Sequence, residues 1–358
     1  MMAPILGSIF AGALFAGLNT SLISQTLSTP SSPDRSQQTA DAVGAMQKDT
    51  VALSAAEVAA LRHSAENGDP IAQNNLGYLY MSGQTLERDY QAAAKWYSAA
   101  AAQGLAAAQY NLGALYEHGM GVDQDFVRAG VFYRSAADRG HAPAQARIAY
   151  FFKYGTGVRK SAVEAMKWYL AAALQGEAVA QCELGNMYYA GQGSRKNYSQ
   201  AAEWYTKAAK RGLAAAENNL ATLYLQGLGV KRDYNQALYW YHQAAQQGST
   251  PAENNLGIMY ELGQGVERDY SVSAKWFATA ANHGDAQAQY NLATLCATGK
   301  GTPLDYPSAY FWYSLAASAK DNPAMDQLKS ISKVMTPRQI QEANVRVMNW
   351  HRAGNPND

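Results

Sequence analysis

The residues of this chain that could carry out chemistry are few and scattered. The chain has six histidines, namely His63, His118, His141, His242, His283 and His351. They show neither H-x-x-x-H nor H-E-x-x-H spacing, so the sequence predicts no metal site. Ser330 to Lys333 spells S-x-x-K, but the S-D-N and K-T-G segments that accompany this motif in β-lactam-acylating enzymes are absent. Cys182 and Cys296 are far apart in the sequence, and we expect small buried apolar residues rather than a disulfide. These patterns favour a protein that is not an enzyme and needs no cofactor.

A more regular polar feature is a column of residues spaced 36 positions apart. Its members are Asn75, Asn111, Arg147, Glu183, Asn219, Asn255 and Asn291. A side-chain amide both donates and accepts hydrogen bonds, which suits recognition of a peptide backbone. We therefore predict that this column binds a partner protein or peptide. The recurrence would be explained equally well by duplication of an asparagine that has no binding role, or by an asparagine that forms a hydrogen bond with the neighbouring helix.

Two members of the column are charged and occupy adjacent repeats. Arg147 and Glu183 replace neutral amides by opposite charges, and Tyr150, Lys153 and Asn186 are expected to project nearby. Such a patch could select a charged or polar segment of a partner, and we include Tyr150 and Asn186 among the predicted binding residues. The alternative is an ion pair between neighbouring helices, which is common and stabilises only weakly.

The elements that would position these residues are helix pairs. In the first pair, Ala72, Leu76 and Tyr80 recur at i, i+4 and i+8, which places them on one helical face. The first helix then ends at a glycine, Gly83, and the second begins near Asp89, which is suited to capping free backbone amides. The same pattern recurs seven times, as expected for a solenoid in which each unit buries its apolar face against the next.

Aromatic and glycine columns also have structural explanations. The aromatic column consists of Trp96, Phe132, Trp168, Trp204, Trp240, Trp276 and Trp312, and such a stripe is typical of core packing. Gly119 and Gly121 could be taken for a phosphate-binding loop, but a helix rather than a strand precedes them. The third repeat departs most from the pattern, because Ser161-Ala162 stands where the others have Asp or Asn before an aromatic residue. The sequence therefore leaves open whether the second helix of this repeat is capped as firmly as the others.

The combined pattern, A-x-x-x-L-G-x-x-Y followed by a glycine turn and A-x-x-W-Y-x-x-A-A-x-x-G, resembles Sel1-like repeats, which are related to the tetratricopeptide repeat. The resemblance covers Ala72 to Lys320. It implies an all-α fold, an α/α solenoid forming a right-handed superhelix of seven helix pairs with helical caps at both ends. It also implies an adaptor for other proteins, of a kind common in bacterial signalling, envelope and host-interaction proteins. In tetratricopeptide-like helices, the position equivalent to the Asn column lines the concave groove.

The remaining sequence predicts the domain organisation. Residues 1–24 are interpreted as an apolar signal peptide or membrane anchor, since no charge occurs from Ala3 to Ser24, with an ordinary apolar tail as the alternative. We predict a flexible polar linker at residues 25–53 and a capping helix at residues 54–71. The seven repeats follow at residues 72–320, and C-terminal capping helices with a tail at residues 321–358.

Charge composition bears on the choice of partner. The chain has 29 basic and 28 acidic residues. Its net charge is therefore close to zero and provides no overall electrostatic attraction for the phosphates of a nucleic acid. The predicted function is a non-enzymatic scaffold or adaptor that holds a partner protein in the concave groove, periplasmic or membrane-anchored in a bacterial envelope. A secreted host-interaction factor, or a regulator of a hydrolase, that uses the same surface is the alternative, and a cytoplasmic location stays open.

Overall fold

The computed structural model describes residues 53–317 and 323–352. Over these ranges all regular secondary structure is helical, and short turns connect the helices. The predicted apolar segment at residues 1–24 and nearly all of the predicted linker lie outside the described residues. The helices are α1 (Ala55–Glu66), α2 (Pro70–Ser82), α3 (Tyr90–Ala102), α4 (Ala106–His118), α5 (Phe126–Asp138), α6 (Ala142–Tyr154), α7 (Ala162–Leu174), α8 (Ala178–Ala190), α9 (Tyr198–Ala209), α10 (Ala214–Gln226), α11 (Tyr234–Gln246), α12 (Thr250–Leu262), α13 (Tyr270–Asn282), α14 (Ala286–Thr298), α15 (Tyr306–Ala316), α16 (Ala324–Ser332) and α17 (Pro337–Arg352).

Helices α2 to α15 form seven consecutive pairs, which confirms the predicted all-α repeat fold. We call the first helix of each pair helix A and the second helix B. The described chain divides into two compact units. The first unit contains the described residues up to Ala216 together with Gln226–Arg232, and the second contains Glu217–Leu225 and the described residues from Asp233 onward. Within each unit, successive helices pack against each other.

Local sequence sets the helix ends. Gly83 closes α2 with a left-handed φ of 68°, and its N–H donates to the carbonyl of Leu79. The Asp89 carboxylate caps α3 by accepting hydrogen bonds from two backbone amides of its first turn. In the third repeat the Ser161 hydroxyl accepts from the Glu164 amide at 3.2 Å, so α7 is capped despite the departure from Asp or Asn.

The core of each repeat is centred on an aromatic residue of helix B. These residues are Tyr97, Tyr133, Tyr169, Tyr205, Tyr241, Phe277 and Tyr313, and all are buried. Helix A has a glycine or an alanine at the equivalent position in every repeat, and in the first repeat a Cβ atom added to Gly77 would lie 2.8 Å from Cδ1 of Tyr97. The neighbouring tryptophan column is less central, since Trp168 and Trp204 are buried whereas Trp96 is half-buried. Close helix packing therefore depends on alanine and glycine beneath a ring.

The second glycine of the inter-helix turn joins successive repeats. A Cβ atom on Gly229 would lie 2.2 Å from the backbone carbonyl carbon of Tyr198, at the start of α9 in the preceding repeat. The Ser199 hydroxyl also donates to the Gly229 carbonyl at 3.2 Å. These glycines are therefore packing residues of the repeat junction, which is the structural interpretation that the sequence favoured over a phosphate-binding loop.

Additional helices flank the pairs. A capping box between Ser54 and Glu57 begins α1. Helices α16 and α17 pack on α15, where the Trp350 ring lies 5.9 Å from Phe311 and 5.8 Å from Trp312. Among the described helices, none is both long enough and apolar enough to cross a membrane.

Candidate protein-binding surface

Three asparagines of the predicted binding column bond the preceding helix A. Asn111 donates from Nδ2 to Oδ1 of Asn74 at 3.0 Å. In the second unit, Asn255 donates in the same way to Asn218, and Asn291 to Asn254, at 3.2 and 3.0 Å. These amides form a ladder that ties successive helices A together. The alternative in which the asparagine bonds a neighbouring helix therefore describes these three positions.

In the first unit, two ion pairs also join successive helices A and extend this ladder with four charged residues, Glu117, Arg147, Lys153 and Glu183. Arg147 of α6 makes a two-point contact with Glu117 of α4, and its Nε donates to Oε2 at 2.9 Å. Glu117 is only 5% exposed, and the same oxygen accepts a hydrogen bond from the Tyr133 hydroxyl at 2.7 Å. One repeat further on, Lys153 Nζ donates to Oε2 of Glu183 at 2.6 Å. Each pair joins residues 30 positions apart on successive helices A.

Arg147 and Glu183 both form ion pairs with a neighbouring helix A, which is the alternative that the sequence left open, but they do not pair with each other. Each of these residues pairs instead with a residue near the C-terminal end of the preceding helix A, because that position lies opposite the Asn column of the next repeat. Lys153, which was expected to project, is 9% exposed and forms part of the buried ladder. Sequence reasoning missed Glu117 altogether. The reversal of charge at the 30-residue spacing, Glu117 with Arg147 and then Lys153 with Glu183, is the pattern that could have found it.

The four charges of this ladder cancel in pairs. Burial opposes the charge of Arg147, but the hydrogen bonds and charge of Glu117 outweigh it and raise the pKa of the guanidinium. Burial likewise opposes the charge of Lys153, and Glu183 reverses the effect, so that the pKa of this ammonium is also raised. Both cations therefore stay charged at neutral pH, and the ladder presents little net charge to a partner.

The Arg147 side chain contacts Tyr150, which in turn contacts Tyr154 at the surface of α6. Its guanidinium lies 4.7 Å from the ring centre of Tyr150, and the Tyr150 and Tyr154 rings are 4.6 Å apart. Tyr154 is 45% exposed, and sequence reasoning did not select it. We call Arg147, Tyr150 and Tyr154 the α6 surface cluster. A guanidinium held by a buried carboxylate and stacked on an aromatic ring is a preorganised contact group.

The other predicted binding residues are not gathered into this cluster. Asn75 is exposed on α2. Asn186 accepts a hydrogen bond from the Tyr205 hydroxyl at 2.7 Å and so satisfies a core tyrosine. Asn219, half-buried, accepts from Asn218 at 3.3 Å and, like Asn255 and Asn291, belongs to the second unit. The structure thus brings Arg147 and Tyr150 together and directs Glu183 and Asn186 toward intramolecular partners.

The cysteines lie apart from this cluster. Cys182 and Cys296 are free thiols, both buried, as expected from the sequence. Burial raises the pKa of each thiol above its ordinary value, so neither is an activated nucleophile. Within residues 53–317 and 323–352, no three potential metal-ligating side chains from His, Cys, Asp and Glu come together in a group.

Comparison with known proteins identifies the repeat. The model of the Sel1 repeat matches seven consecutive segments, at residues 70–105, 106–141, 142–177, 178–213, 214–249, 250–285 and 286–321. The crystal structure of a Sel1 repeat protein from Oxalobacter formigenes is 32% identical, with a TM-score of 0.64, over 87% of this chain and 93% of that one.

Two further solved structures share less of the geometry. The protective antigen c5321 of uropathogenic Escherichia coli, which displays an SLR fold, is 27% identical with a TM-score of 0.42, over 84% of this chain and 80% of that one. The immunity protein Pa5087 from Pseudomonas aeruginosa is 25% identical with a TM-score of 0.39, over 60% of this chain and 81% of that one. No match was found among curated protein sequences.

Proposed function

Because this chain belongs to the Sel1 repeat family, whose members generally act as protein-interaction scaffolds, we propose that it is a non-enzymatic adaptor. Its proposed binding surface is the helix-A side of the first unit, centred on the α6 surface cluster. The proposed ligand is a segment of a partner protein, and the proposed location is a bacterial envelope. The charge-free run from Ala3 to Ser24 supports that location.

The observation that carries this proposal is the anchoring of Arg147. Glu117 holds one edge of the guanidinium in the interior, while the side chain of Arg147 stays 34% exposed and rests on Tyr150. Arginine and tyrosine are the residue types that most often dominate binding energy at protein interfaces. A side chain that is already fixed loses less conformational entropy when a partner binds. Since the ladder is neutral in sum, we expect a partner segment with little net charge.

Site-specific photocrosslinking in cells tests the proposed surface. A photoreactive amino acid placed at Tyr154 should give a discrete covalent adduct with a partner protein. The matched control places the same amino acid at Tyr239, a similarly exposed tyrosine on helix B of the fifth repeat. Equal adducts at both positions, or none at Tyr154, would count against the helix-A surface.

Binding of the partner recovered in this way can then be measured. Arg147→Ala should weaken the complex by roughly ten- to a hundredfold, as expected for loss of a central arginine. Asn255→Ala serves as the control, because Asn255 is buried and bonded to Asn218 in the second unit. A partner that binds the wild type and the Arg147→Ala variant equally well would contradict the assignment.

A further inference from the structure

The turns between helices A and B carry a row of basic residues in the third, fourth and fifth repeats. Each of these turns has two adjacent cations shortly before helix B begins. All six residues are exposed, and they are Arg159, Lys160, Arg195, Lys196, Lys231 and Arg232. We call these six residues the basic row, and all of them belong to the first unit. The near-zero net charge of the chain therefore conceals a locally positive surface.

Contacts between successive repeats place the three turns side by side. A Cβ atom on Gly193, in the turn of the fourth repeat, would lie 2.5 Å from the carbonyl oxygen of Ala162, at the start of α7. The turn of the fifth repeat packs in the same way, with Gly229 against the backbone of Tyr198 at the start of α9. Because α7 and α9 begin directly after the turns of the third and fourth repeats, the three pairs of cations lie next to each other along one edge of the first unit.

The second cation of each pair has a structural role. A Cβ atom on Gly227 would lie 3.1 Å from Cβ of Arg232, so the stem of this side chain packs on the turn glycine. The Arg232 guanidinium also donates to the carbonyl of Gln226 at 3.4 Å. In the first repeat, Arg88 donates in the same way to the carbonyl of Ser82 at 3.1 Å. A basic residue at this position therefore satisfies a carbonyl at the C-terminal end of helix A.

The first cation of each pair has no such role. Among the described residues, no hydrogen bond or ion pair engages the side chains of Arg159, Arg195 and Lys231. In the other repeats the equivalent residues are acidic or proline, namely Glu87, Asp123, Glu267 and Pro303. Folding of the turn therefore does not require a cation at this position, and packing does not explain why three adjacent repeats have one.

The N-caps of helix B in the third and fourth repeats reinforce the positive charge. Ser161 caps α7 and Asn197 caps α9, whereas an aspartate occupies this position in the other five repeats. The departure of the third repeat from the usual cap thus removes a carboxylate from the basic row. The turns at residues 155–161 and 191–197 together contain four cations and no acidic residue.

From this arrangement we infer that the basic row binds an acidic segment of a partner protein through complementary charge. An extended segment advances about 3.3 Å per residue, so about ten residues are long enough to pass across three adjacent turns. The surface lies on the turns rather than on the α6 surface cluster, and the inference does not depend on the proposed function.

The neighbouring turn favours a short segment over an anionic membrane. Asp123 and Asp125 lie in the turn of the second repeat. The turn of the third repeat contacts this region, because Gly157 packs against the backbone of Phe126, which directly follows Asp125. An extended bilayer surface would meet these carboxylates together with the basic row, whereas a segment of limited length need not.

Fluorescence anisotropy with a labelled decaglutamate peptide tests the inference on the full chain. Removing the three first-position cations together, by Arg159→Gln, Arg195→Gln and Lys231→Gln, should raise the dissociation constant about tenfold at about 0.15 M salt. Circular dichroism checks that this triple variant folds, as expected because the three side chains have no partner within the described part of the chain. A wild type that does not bind the peptide would overturn the inference.

A second triple variant separates the basic row from overall charge. It removes three exposed cations at the opposite ends of helices B of the same unit, by Arg139→Gln, Lys210→Gln and Arg211→Gln. Glutamine occurs naturally at these positions in other repeats, at Gln103 and Gln246. The helices span roughly 20 Å, well beyond the screening length of about 8 Å, so the peptide affinity should change less than twofold. Equal weakening in the two triple variants would overturn the inference.

A charge added at the end of the basic row gives the opposite test. Asp123→Lys extends the row into the second repeat and should tighten peptide binding about threefold. Asp138→Lys, at the far end of α5, makes the same change in net charge and should leave the affinity unchanged. Equal tightening in both variants would contradict a localised site.

Vesicles of phosphatidylglycerol and phosphatidylcholine distinguish a membrane from an acidic segment. We expect the full chain and the first triple variant to cosediment with these vesicles to the same extent. Vesicle binding that is lost in this variant, together with unchanged peptide binding, would assign the basic row to an anionic membrane and overturn the inference.

Discussion

Arg147 shows how the charge of one residue depends on its partner. Its guanidinium is held by Glu117, whose carboxylate is almost fully buried and also accepts a hydrogen bond from the Tyr133 hydroxyl. A buried ion pair contributes little net stability when complete, but loss of one partner leaves the other charge uncompensated. The pair therefore specifies how α4, α5 and α6 fit together, and it positions the α6 surface cluster.

Loss of Glu117 should be costly. Glu117→Ala removes the partner of both Arg147 and Tyr133, and we expect the free energy of unfolding to fall by roughly 3 kcal/mol. Urea titration followed by circular dichroism measures this change. Glu261 offers a matched control, because it occupies the same helix-A position in the sixth repeat and makes no ion pair within the described residues. Burial raises the pKa of Glu261, so Glu261→Ala should be neutral or slightly stabilising. Equal losses in the two variants would contradict a special role for Glu117.

Asp285 gives a prediction about pH. Its carboxylate caps α14 by accepting from the Ala288 amide at 2.7 Å. Burial raises its pKa from 3.8 to about 6, although the backbone hydrogen bonds oppose this effect. The folded state therefore holds this proton more tightly than the unfolded state. The stability that this proton contributes is fully present below about pH 4 and is lost as the pH rises through about 6.

Asp285→Asn keeps a capping oxygen and removes this titration. Between about pH 4 and pH 7, the free energy of unfolding of the wild type should fall relative to that of the variant by on the order of 2 kcal/mol. Urea titrations of both proteins at several pH values measure the difference. Parallel pH profiles would show that Asp285 does not titrate in this range.

At the scale of elements, helices A and B of the fifth and seventh repeats are joined by a pair of hydroxyl groups. Tyr241 and Thr222 pair at 2.9 Å, and Tyr313 and Thr294 pair at 2.9 Å. In the sixth repeat the tyrosine is Phe277, and the residue at the threonine position is Ile258, which packs against the same core. In the last three repeats the two positions are therefore either both polar or both apolar, as expected because a lone buried hydroxyl is costly.

Phe277→Tyr should lower the free energy of unfolding by roughly 1 to 3 kcal/mol, because it introduces a buried hydroxyl beside Ile258. Adding Ile258→Thr should recover much of this loss by recreating the Thr–Tyr pair. A double-mutant cycle measures the coupling, which we expect to be about 1 kcal/mol or more in favour of the pair. Strictly additive effects would mean that the hydroxyls do not interact.

The repeat junction depends on its turn glycine. Gly229 has a left-handed φ of 69° and lies against the backbone of Tyr198, whereas Gly248 has a φ of 77° and no neighbouring atom within 4 Å of a built Cβ. Gly248→Ala should cost about 1 kcal/mol from backbone strain alone. Gly229→Ala should cost at least about 2 kcal/mol more, because the turn must also move away from α9. Hydrogen exchange at the start of α9 should accelerate only in Gly229→Ala, and similar exchange in both variants would argue against the contact.

At the scale of the whole molecule, the proposed envelope location rests on the apolar run near the amino terminus. We expect the mature chain to be recovered outside the cytoplasm, either shortened beyond the charge-free run or retained in the membrane fraction. Cell fractionation with sequencing of the amino terminus checks this prediction, and a cytoplasmic marker protein serves as the control. A full-length product confined to the cytoplasm would leave an intracellular adaptor.

Repetition made most of the fold predictable. Because the same alanine, leucine, glycine and aspartate positions recur seven times, helix pairs and their ends could be assigned from Ala72, Gly83 and Asp89 alone. The candidate binding surface was less predictable. Arg147 and Tyr150 were selected correctly as neighbours, but Glu117 and Tyr154 were missed. The 36-residue spacing identifies residues that occupy equivalent positions in the repeats. It does not show which residues of successive repeats contact each other.

The sequence by itself determined the repeat, its helical class and the small residues that allow close packing, since these depend on local spacing and side-chain size. Only the tertiary structure decided which polar groups meet: Asn111 with Asn74, Arg147 with Glu117, and Lys153 with Glu183. The physical reason is that these contacts join different helices A, so they depend on how the helices are offset in the stack. On one helix, Lys153 is buried and pairs with Glu183 of the next helix A, whereas the adjacent Tyr154 is exposed.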